Sequence, residues 1–282
     1  MKLNELKDIF SSELKSIYSK EESRTILNYI LIDAVGIPKL TILLQSQIEL
    51  DENQSEKALS FLVDLKKGIP VQHLLGIAHF YGMMLEVNAD VLIPRQETEE
   101  LVDWIIKDTG DAKVRILDVC TGSGCIALAL KKHLPSADVT AVDISEKALA
   151  VARKNALNQN LEVHFKKVDA LNLEQELSNE VFDIIVSNPP YIPLSDKDTV
   201  QKSVWMYEPH IALFVPDKCP LVFYEAIAKY AKNFNPVLLY FEMNEDLGDE
   251  LAELMSNMVF KDITIRADLN GKNRMLKCRF FS

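Results

Sequence analysis

The nine residues Ile116-Leu117-Asp118-Val119-Cys120-Thr121-Gly122-Ser123-Gly124 constrain this chain more than any other stretch. A short apolar strand runs straight into a Gly-x-Gly turn, and a helical pattern at 124–132 follows at once. Strand, glycine turn and helix in that order open a parallel, doubly wound α/β sheet. The rest of the chain repeats the alternation. Strands are expected at 114–119, 139–143, 162–168, 181–187 and 237–242, and helices at 145–158, 220–234 and 244–257, with Ser145 placed to cap its helix. Two final β-rich segments, 259–267 and 274–281, are joined by Asp268-Leu269-Asn270-Gly271 with no room for a crossover helix, so they should pair antiparallel. The expected fold is α/β: a doubly wound, mostly parallel, seven-stranded sheet.

The first 77 residues have a different texture. Leu6, Ile9, Phe10, Leu14 and Ile17 recur at helical spacing, as do Ile26, Leu27, Ile30 and Leu31. Turn signals at Gly36-Ile37-Pro38 and Gly68-Ile69-Pro70 set off further helices around 39–48 and 53–67. Residues 1–77 therefore read as a small helical bundle. Residues 79–91 are aromatic and β-friendly around Gly82, which suggests a β-hairpin connector over 78–97. Helix returns from Thr98 to Lys107, stopped by Gly110. The expected organisation is three parts: 1–77, 78–97 and 98–282.

A Gly-x-Gly turn alone does not name its ligand, because dinucleotide and phosphate loops share it. Ala127 stands where a third glycine of G-x-G-x-x-G would fall, and no Gly-Lys-Ser/Thr follows. Asp118 would repel a pyrophosphate and attract a cation. Asp143 closes the next strand, where an acidic residue accepts ribose hydroxyls. Asp169-Ala170 follows the third strand, where an adenine amino group would be met. Three acidic strand ends around such a loop suit S-adenosylmethionine, with a dinucleotide as the alternative. Any one of these aspartates taken singly could be a solvated strand end or a helix cap. Cys120 and Cys125 read as packing residues without metal partners, and the four cysteines form neither a Cys-x-x-Cys pair nor a disulfide framework. The five histidines are scattered and receive no role.

A second motif follows the strand at 181–187: Asn188-Pro189-Pro190-Tyr191. Consecutive prolines fix φ and remove two backbone donors, leaving nearby carbonyls free to accept. Asn188 adds a side-chain acceptor, so the turn can hold both hydrogens of a planar –NH₂ group while Tyr191 covers its flat face. Charge bears on what carries that group. Residues 1–77 hold 9 Lys+Arg against 11 Asp+Glu, and the remainder 22 against 31, giving −2 and −9 of the net −11. Such acidity disfavours a duplex nucleic-acid substrate and suits a protein or small molecule. The N-terminus lacks a signal-peptide core and no apolar run reaches the ~20 residues a spanning helix needs, so no membrane partner and a cytoplasmic location are expected.

The tetrad resembles the (Asn/Asp)-Pro-Pro-(Tyr/Phe/Trp) motif of methyltransferases acting on nitrogens conjugated to a π system, among them enzymes of adenine in DNA, guanine in ribosomal RNA and glutamine in proteins. A narrower resemblance lies upstream, in Pro70-Val71-Gln72-His73-Leu74-Leu75-Gly76, Phe80-Tyr81-Gly82 and Val91-Leu92-Ile93-Pro94-Arg95-Gln96-Glu97-Thr98-Glu99-Glu100-Leu101-Val102. These segments, with Glu208-Pro209 and Ala212-Leu213-Phe214, look like the peptide release factor glutamine methyltransferase family, PrmC/HemK, over essentially the whole chain. The resemblance implies a Rossmann-like methyltransferase sheet and transfer of a methyl group from S-adenosyl-L-methionine, leaving S-adenosyl-L-homocysteine. The implied acceptor is the glutamine amide of the Gly-Gly-Gln loop in class 1 release factors. By position it implies that Asp118, Cys120, Thr121, Gly122, Ser123 and Gly124 serve the cofactor, Asp143 the ribose and Asp169-Ala170 the adenine. Asn188, Pro189, Pro190 and Tyr191 would hold the glutamine. Residues 1–77 would recognise the substrate protein outside the loop. Two departures stand out: Cys120 where the family has a glycine, and Glu242-Met243-Asn244 where Glu-(apolar)-Gly is common. Arg95 and Glu97 suggest a salt bridge bracing the connector.

Overall fold

A computed structural model describes residues 1–44, 48–178 and 180–281 of the 282. Contacts divide it into two units: Met1–Ile77 with Gln201–Tyr207, and Ala78–Val200 with Glu208–Ser282.

The smaller unit is helical. Its elements are α1 (Leu3–Glu13), α2 (Lys20–Tyr29), α3 (Lys39–Leu44), α4 (Glu52–Ser60), α5 (Leu62–Leu65) and α6 (Val71–Leu75). The α2 helix starts with a capping box: Glu22 N–H donates to Ser19 Oγ at 3.2 Å and Ser19 N–H to Glu22 Oε2 at 2.8 Å. It passes into a π-helical stretch, Ile30–Val35, stopped by Gly36 at φ 86°. Leu6, Phe10, Leu14, Leu27, Ile30 and Leu31 are fully buried in one cluster, as expected from the helical spacing, whereas Ile9 is partly buried and Ile17, beyond the end of α1, is exposed. Of the helix expected at 39–48, α3 covers the first six residues; 45–47 lie outside the described residues, and Ile48–Leu50 is extended.

The larger unit opens with β1 (Ile77–Phe80) and β2 (Met83–Glu86), paired across Tyr81-Gly82, then α7 (Gln96–Thr109). There follow β3 (Arg115–Val119), α8 (Cys125–His133), β4 (Asp138–Asp143), α9 (Glu146–Gln159), β5 (His164–Lys167), α10 (Leu173–Glu176) and β6 (Ile184–Ser187). A two-residue strand β7 (Ile192–Pro193) precedes α11 (Lys202–Tyr207), which packs with the smaller unit, and pairs with β8 (Phe214–Val215). The chain ends with α12 (Val222–Ala231), β9 (Val237–Glu242), α13 (Gly248–Asn257), β10 (Lys261–Ala267) and β11 (Asn273–Phe280).

The main sheet has seven strands in the order β10-β11-β9-β6-β3-β4-β5. β9, β6, β3, β4 and β5 are mutually parallel, and β11 is antiparallel to both of its neighbours. Residues alternate between two cores, as period-two strands buried on both faces must. Leu117, Val119, Ile185, Leu239 and Phe241 meet Tyr224 and Ile227 of α12 and Leu251 and Met255 of α13 on one face. Ile116, Ile184, Val186 and Tyr240 meet Leu101, Val102 and Ile105 of α7 and Ala127, Leu128 and Leu130 of α8 on the other. The chain runs from β3 outward through β4 and β5, then returns to place β6 on the other side of β3. The reversal makes the β3/β6 boundary a switch point, where α/β sheets open a crevice beyond the strand ends.

Candidate active site

Val119 pairs with Ser187 in the β3/β6 ladder, so the residues after each, Cys120 and Asn188, emerge side by side at the switch point. Ser187 Oγ donates to the Val119 carbonyl at 2.7 Å and locks the two strand ends together. The two motifs, more than sixty positions apart in the chain, thus share one crevice for a reason of topology alone.

The loop after β3 is held from within. Asp118 is fully buried; its Oδ2 accepts from Thr121 Oγ1 at 2.6 Å and from the Ala127 N–H at 3.2 Å. Burial pushes its carboxyl up to about 7, against those two hydrogen bonds. Its other oxygen and the Ser123 hydroxyl are buried without a hydrogen-bond partner. Gly124 has φ 82°, which strains any residue with a side chain, and a Cβ there would stand 3.1 Å from the Cβ of Ala152 on α9, so a substitution would also press on that helix. Cys120 takes φ 63°, a left-handed conformation without glycine's freedom. The backbone at this position is one that glycine adopts without strain.

Asp143, at the end of β4, splits its carboxylate between two backbone donors, Gly122 N–H to Oδ2 and Ser145 N–H to Oδ1, each 2.9 Å. It thereby ties the glycine loop to the start of α9, and burial raises its pKa. Asp169 accepts from the Leu171 N–H at 2.9 Å and from Asn172 Nδ2 at 3.0 Å, closing the turn after β5.

One pocket, with a cavity volume of about 190 Å³, is lined by Cys120, Gly122, Asp143, Asp169, Ala170, Asn188 and Pro190 among others. Asp118, Thr121, Ser123, Gly124, Pro189 and Tyr191 do not line it; the first four build the loop beneath it. Its walls include Asp90–Leu92 and Pro209, Ile211 and Ala212. Glu208 joins those walls, accepting from the Ile93 N–H at 2.9 Å and from Arg95 Nη2 at 2.5 Å, with its own side chain 1% exposed. The partner of Arg95 is thus Glu208, 113 positions away, and not Glu97. A salt bridge exists as expected, but it braces the pocket wall.

Around the tetrad lies a buried network that sequence reasoning did not assemble. Thr98 Oγ1 donates to Glu242 Oε2 at 2.6 Å, Asn188 Nδ2 lies 3.4 Å from Thr98 Oγ1, and the Tyr191 hydroxyl lies 3.4 Å from Glu242 Oε1. Tyr224 donates to the Glu242 carbonyl at 3.0 Å. Glu242 is 2% exposed and Thr98 likewise. Burial pushes the Glu242 carboxyl up to about 7, with Thr98 opposing it, Glu97 adding to it, and Arg274 and Arg95 drawing it down. Burial also raises the Tyr191 phenol, and the Glu242 charge adds to that. The signal for Glu242 was present as the single charge at the end of the apolar run Val237–Phe241. The motif that looked most specific, Arg95 through Glu99, turns out to supply hydrogen-bond partners across the unit: Arg95 for Glu208, Thr98 for Glu242, and Glu99 as acceptor for the Tyr81 N–H at 2.8 Å. Among the described residues no cluster of His, Cys, Asp or Glu is arranged to hold a metal, and no helix is long and apolar enough to cross a membrane.

A glycine loop and an Asn-Pro-Pro-Tyr turn at adjacent ends of such a sheet define a methyltransferase unit, and the family model described as Methyltransferase small domain matches residues 97–206. The model described as PrmC N-terminal domain matches residues 5–76. The release factor glutamine methyltransferase of Flavobacterium psychrophilum is 42% identical over 278 residues, 96% of each chain. That of Bacteroides thetaiotaomicron is 38% identical over 276 residues, 97% of this chain and 99% of its own. The chain belongs to the release factor glutamine methyltransferase family. Among solved structures, the hMettl16 catalytic domain in complex with the MAT2A 3'UTR hairpin 1 shares the fold, with a TM-score of 0.57 and 17% identity over 84% of each chain.

Proposed function

We propose that this protein transfers a methyl group from S-adenosylmethionine to the glutamine side-chain amide in the Gly-Gly-Gln loop of class 1 release factors. The observation that carries the reading is a pocket continuous from the glycine loop to Asn188 and Pro190, in a chain that matches release factor glutamine methyltransferases along nearly its whole length.

The residues present fit the cofactor. A buried carboxylate with one unpartnered oxygen and, five residues on in the same loop, an unpartnered serine hydroxyl are polar groups that a cationic ammonium group would satisfy. Asp118 and Ser123 are therefore assigned to the amino-acid end, and Thr121 and Gly124 to the shape of the turn. Cys120 and Gly122 form the floor, Asp143 takes the ribose hydroxyls, and Asp169 and Ala170 border the adenine. Bound S-adenosylmethionine supplies an electrophilic methyl group on a sulfonium.

The protein's part in the reaction is positioning. An amide nitrogen is a weak nucleophile because its lone pair is delocalised into the carbonyl, and no side chain of ordinary pKa deprotonates it beforehand. Asn188 Oδ1 and the Pro189 carbonyl accept the two amide N–H bonds, which raises electron density on nitrogen and aims it along the transfer axis. Tyr191 covers the flat face of the amide. The proton leaves to water once nitrogen has gained its fourth bond.

The test is incubation of the protein with labelled S-adenosylmethionine and intact release factor, followed by peptide mapping. Label is expected on the glutamine of the Gly-Gly-Gln loop, and Asn188→Ala should lower kcat by about 10²-fold. Label on nucleic acid and none on release factor would overturn the substrate; full turnover by Asn188→Ala would overturn the role of the tetrad.

A further inference from the structure

Glu242 does not line the pocket, yet its buried carboxyl lies against two residues at the tetrad, Thr98 and Tyr191. Its two oxygens point to two different members of the site. Oε2 accepts the Thr98 hydroxyl at 2.6 Å, and Oε1 faces the Tyr191 hydroxyl at 3.4 Å. Its backbone carbonyl is gripped by Tyr224 at 3.0 Å, so the end of β9 is fixed as well. A buried carboxylate is costly to keep, and a methyltransfer site needs no strong base. Its retention beside the tetrad calls for another use.

Hydrogen-bond polarity supplies one. A threonine hydroxyl has a single proton. When that proton is committed to Glu242, the Thr98 oxygen can meet Asn188 only as an acceptor, and only the Nδ2 end of the Asn188 carboxamide can donate to it, as the 3.4 Å contact has it. Hydrogen bonds of this kind tighten when substrate closes the site. The carboxamide is planar, so an inward Nδ2 turns Oδ1 the other way. An acceptor is what an incoming amide N–H requires; the flipped carboxamide would present a donor to a donor.

We propose that Glu242 and Thr98 form a polar relay that sets the orientation of the Asn188 carboxamide, so that its oxygen and not its nitrogen faces the substrate amide, while the second Glu242 oxygen holds the Tyr191 ring. Glu242 and Thr98 are positioning residues, since neither touches the reacting atoms. The inference rests on the proposed reading of Asn188 as the acceptor for the substrate amide.

The experiment is a set of variants assayed for methylation of intact release factor, with the affinity for S-adenosylmethionine measured separately by calorimetry. Thr98→Ser keeps the relay proton and should stay within about threefold of the parent kcat, whereas the near-isosteric Thr98→Val removes it and should lose about tenfold or more. Glu242→Leu removes the acceptor, so the Thr98 proton is free to turn toward Asn188 and reverse the relay; kcat should fall by about tenfold or more with cofactor affinity unchanged within about threefold. The decisive variant is the double Glu242→Leu, Asn188→Asp. A carboxylate has no donor end, so Thr98 donates to one oxygen and leaves the other to the substrate, and activity should recover relative to Glu242→Leu alone. A purely structural role for Glu242 would give no such rescue. Parent-like kcat in Thr98→Val or Glu242→Leu overturns the relay, as does a double variant no better than the single. Should Glu242→Leu fail to bind cofactor, the Thr98 pair decides by itself. A parent protein that leaves release factor unmethylated overturns the reading beneath the relay, which is a different result from equal turnover in all variants.

Discussion

Two buried carboxyls, Asp118 and Glu242, are both pushed up to about 7 by burial. In the unfolded chain they titrate near their ordinary values, so folding is penalised wherever the unfolded carboxyl is ionised. The contribution is fully favourable below pH 4, declines as pH rises through the range from about 4 to about 7, and is then lost. Removing the Glu242 charge should therefore stabilise the protein above neutrality. Glu242→Gln is expected to raise the melting temperature at pH 8, with an upper bound of about 3 kcal/mol, and to have little effect at pH 4. Calorimetric scans at the two pH values check this, and a variant destabilised at pH 8 would contradict it. Gain of stability with loss of activity is the pattern of a group kept for function. Cys120 poses the opposite question, because a residue with a Cβ sits at φ 63°. Glycine there would exchange strain for chain entropy and lost sulfur packing, so Cys120→Gly should stay within about 1 kcal/mol of the parent, whereas the β-branched Cys120→Val should cost about 2 kcal/mol. Urea titration of both variants measures the difference; equal cost for both would mean that the left-handed backbone at this position relaxes freely. Of the residues discussed, Asp143, Asp169 and Asn188 were legible because each stands at or directly after the end of a readable strand. Glu242 was not, because its meaning comes from Thr98, 144 positions earlier, and such a pairing exists only once the sheet has formed.

Elements explain how these residues meet. The seven main strands were legible from apolar or β-rich runs and turn residues, because each is punctuated locally; the inner ones are also buried, whereas β5 and β10 at the two edges are largely exposed. Their order was not, since it depends on which side of β3 the returning β6 takes. Short elements escaped altogether: β7 and β8 have two residues each, too few for any periodicity, and α11, which has no buried residue, is grouped by its contacts with residues far earlier in the chain. One side chain shows how elements are locked together. Asn155 of α9 is fully buried; its Oδ1 accepts from the Glu86 N–H at 2.6 Å, and its Nδ2 donates to the carbonyls of Glu86 and Ser123, each at 3.0 Å. It fastens the β1/β2 hairpin to α9 and to the glycine loop at once. The near-isosteric Asn155→Leu would strand three backbone groups and should destabilise the protein by about 2–4 kcal/mol. Denaturant unfolding measures it, with weakened cofactor affinity expected in the same variant because Ser123 loses its anchor. A cost below about 1 kcal/mol would show that water replaces the amide, and that the hairpin is not held this way.

At the scale of the molecule, the two units divide labour in a way the chain path makes testable. Every residue lining the pocket belongs to the larger unit, as do the partners in the Asp118, Glu208 and Glu242 networks. The larger unit also has its own cores on both faces of the sheet, and the smaller one has a separate helical core. The boundary seen in sequence at residue 77 is only part of it, because α11 belongs with the smaller unit and Tyr207 donates to the Lys67 carbonyl at 3.0 Å. A deletion of 1–77 alone would leave the apolar side of α11 uncovered and invite aggregation for a reason unrelated to catalysis. The informative variant removes 1–77 and replaces 201–207 with a short Gly/Ser linker. If the smaller unit serves only to recognise the substrate protein, this variant should unfold cooperatively and bind S-adenosylmethionine within about threefold of the parent. Its kcat/KM for intact release factor should fall by about 10²-fold or more, while that for a short Gly-Gly-Gln peptide changes by less than about fivefold. Loss of cofactor binding would mean that the larger unit needs the smaller one to form its pocket. Undiminished kcat/KM on release factor would remove substrate recognition from residues 1–77 and return it to the walls around Asn188.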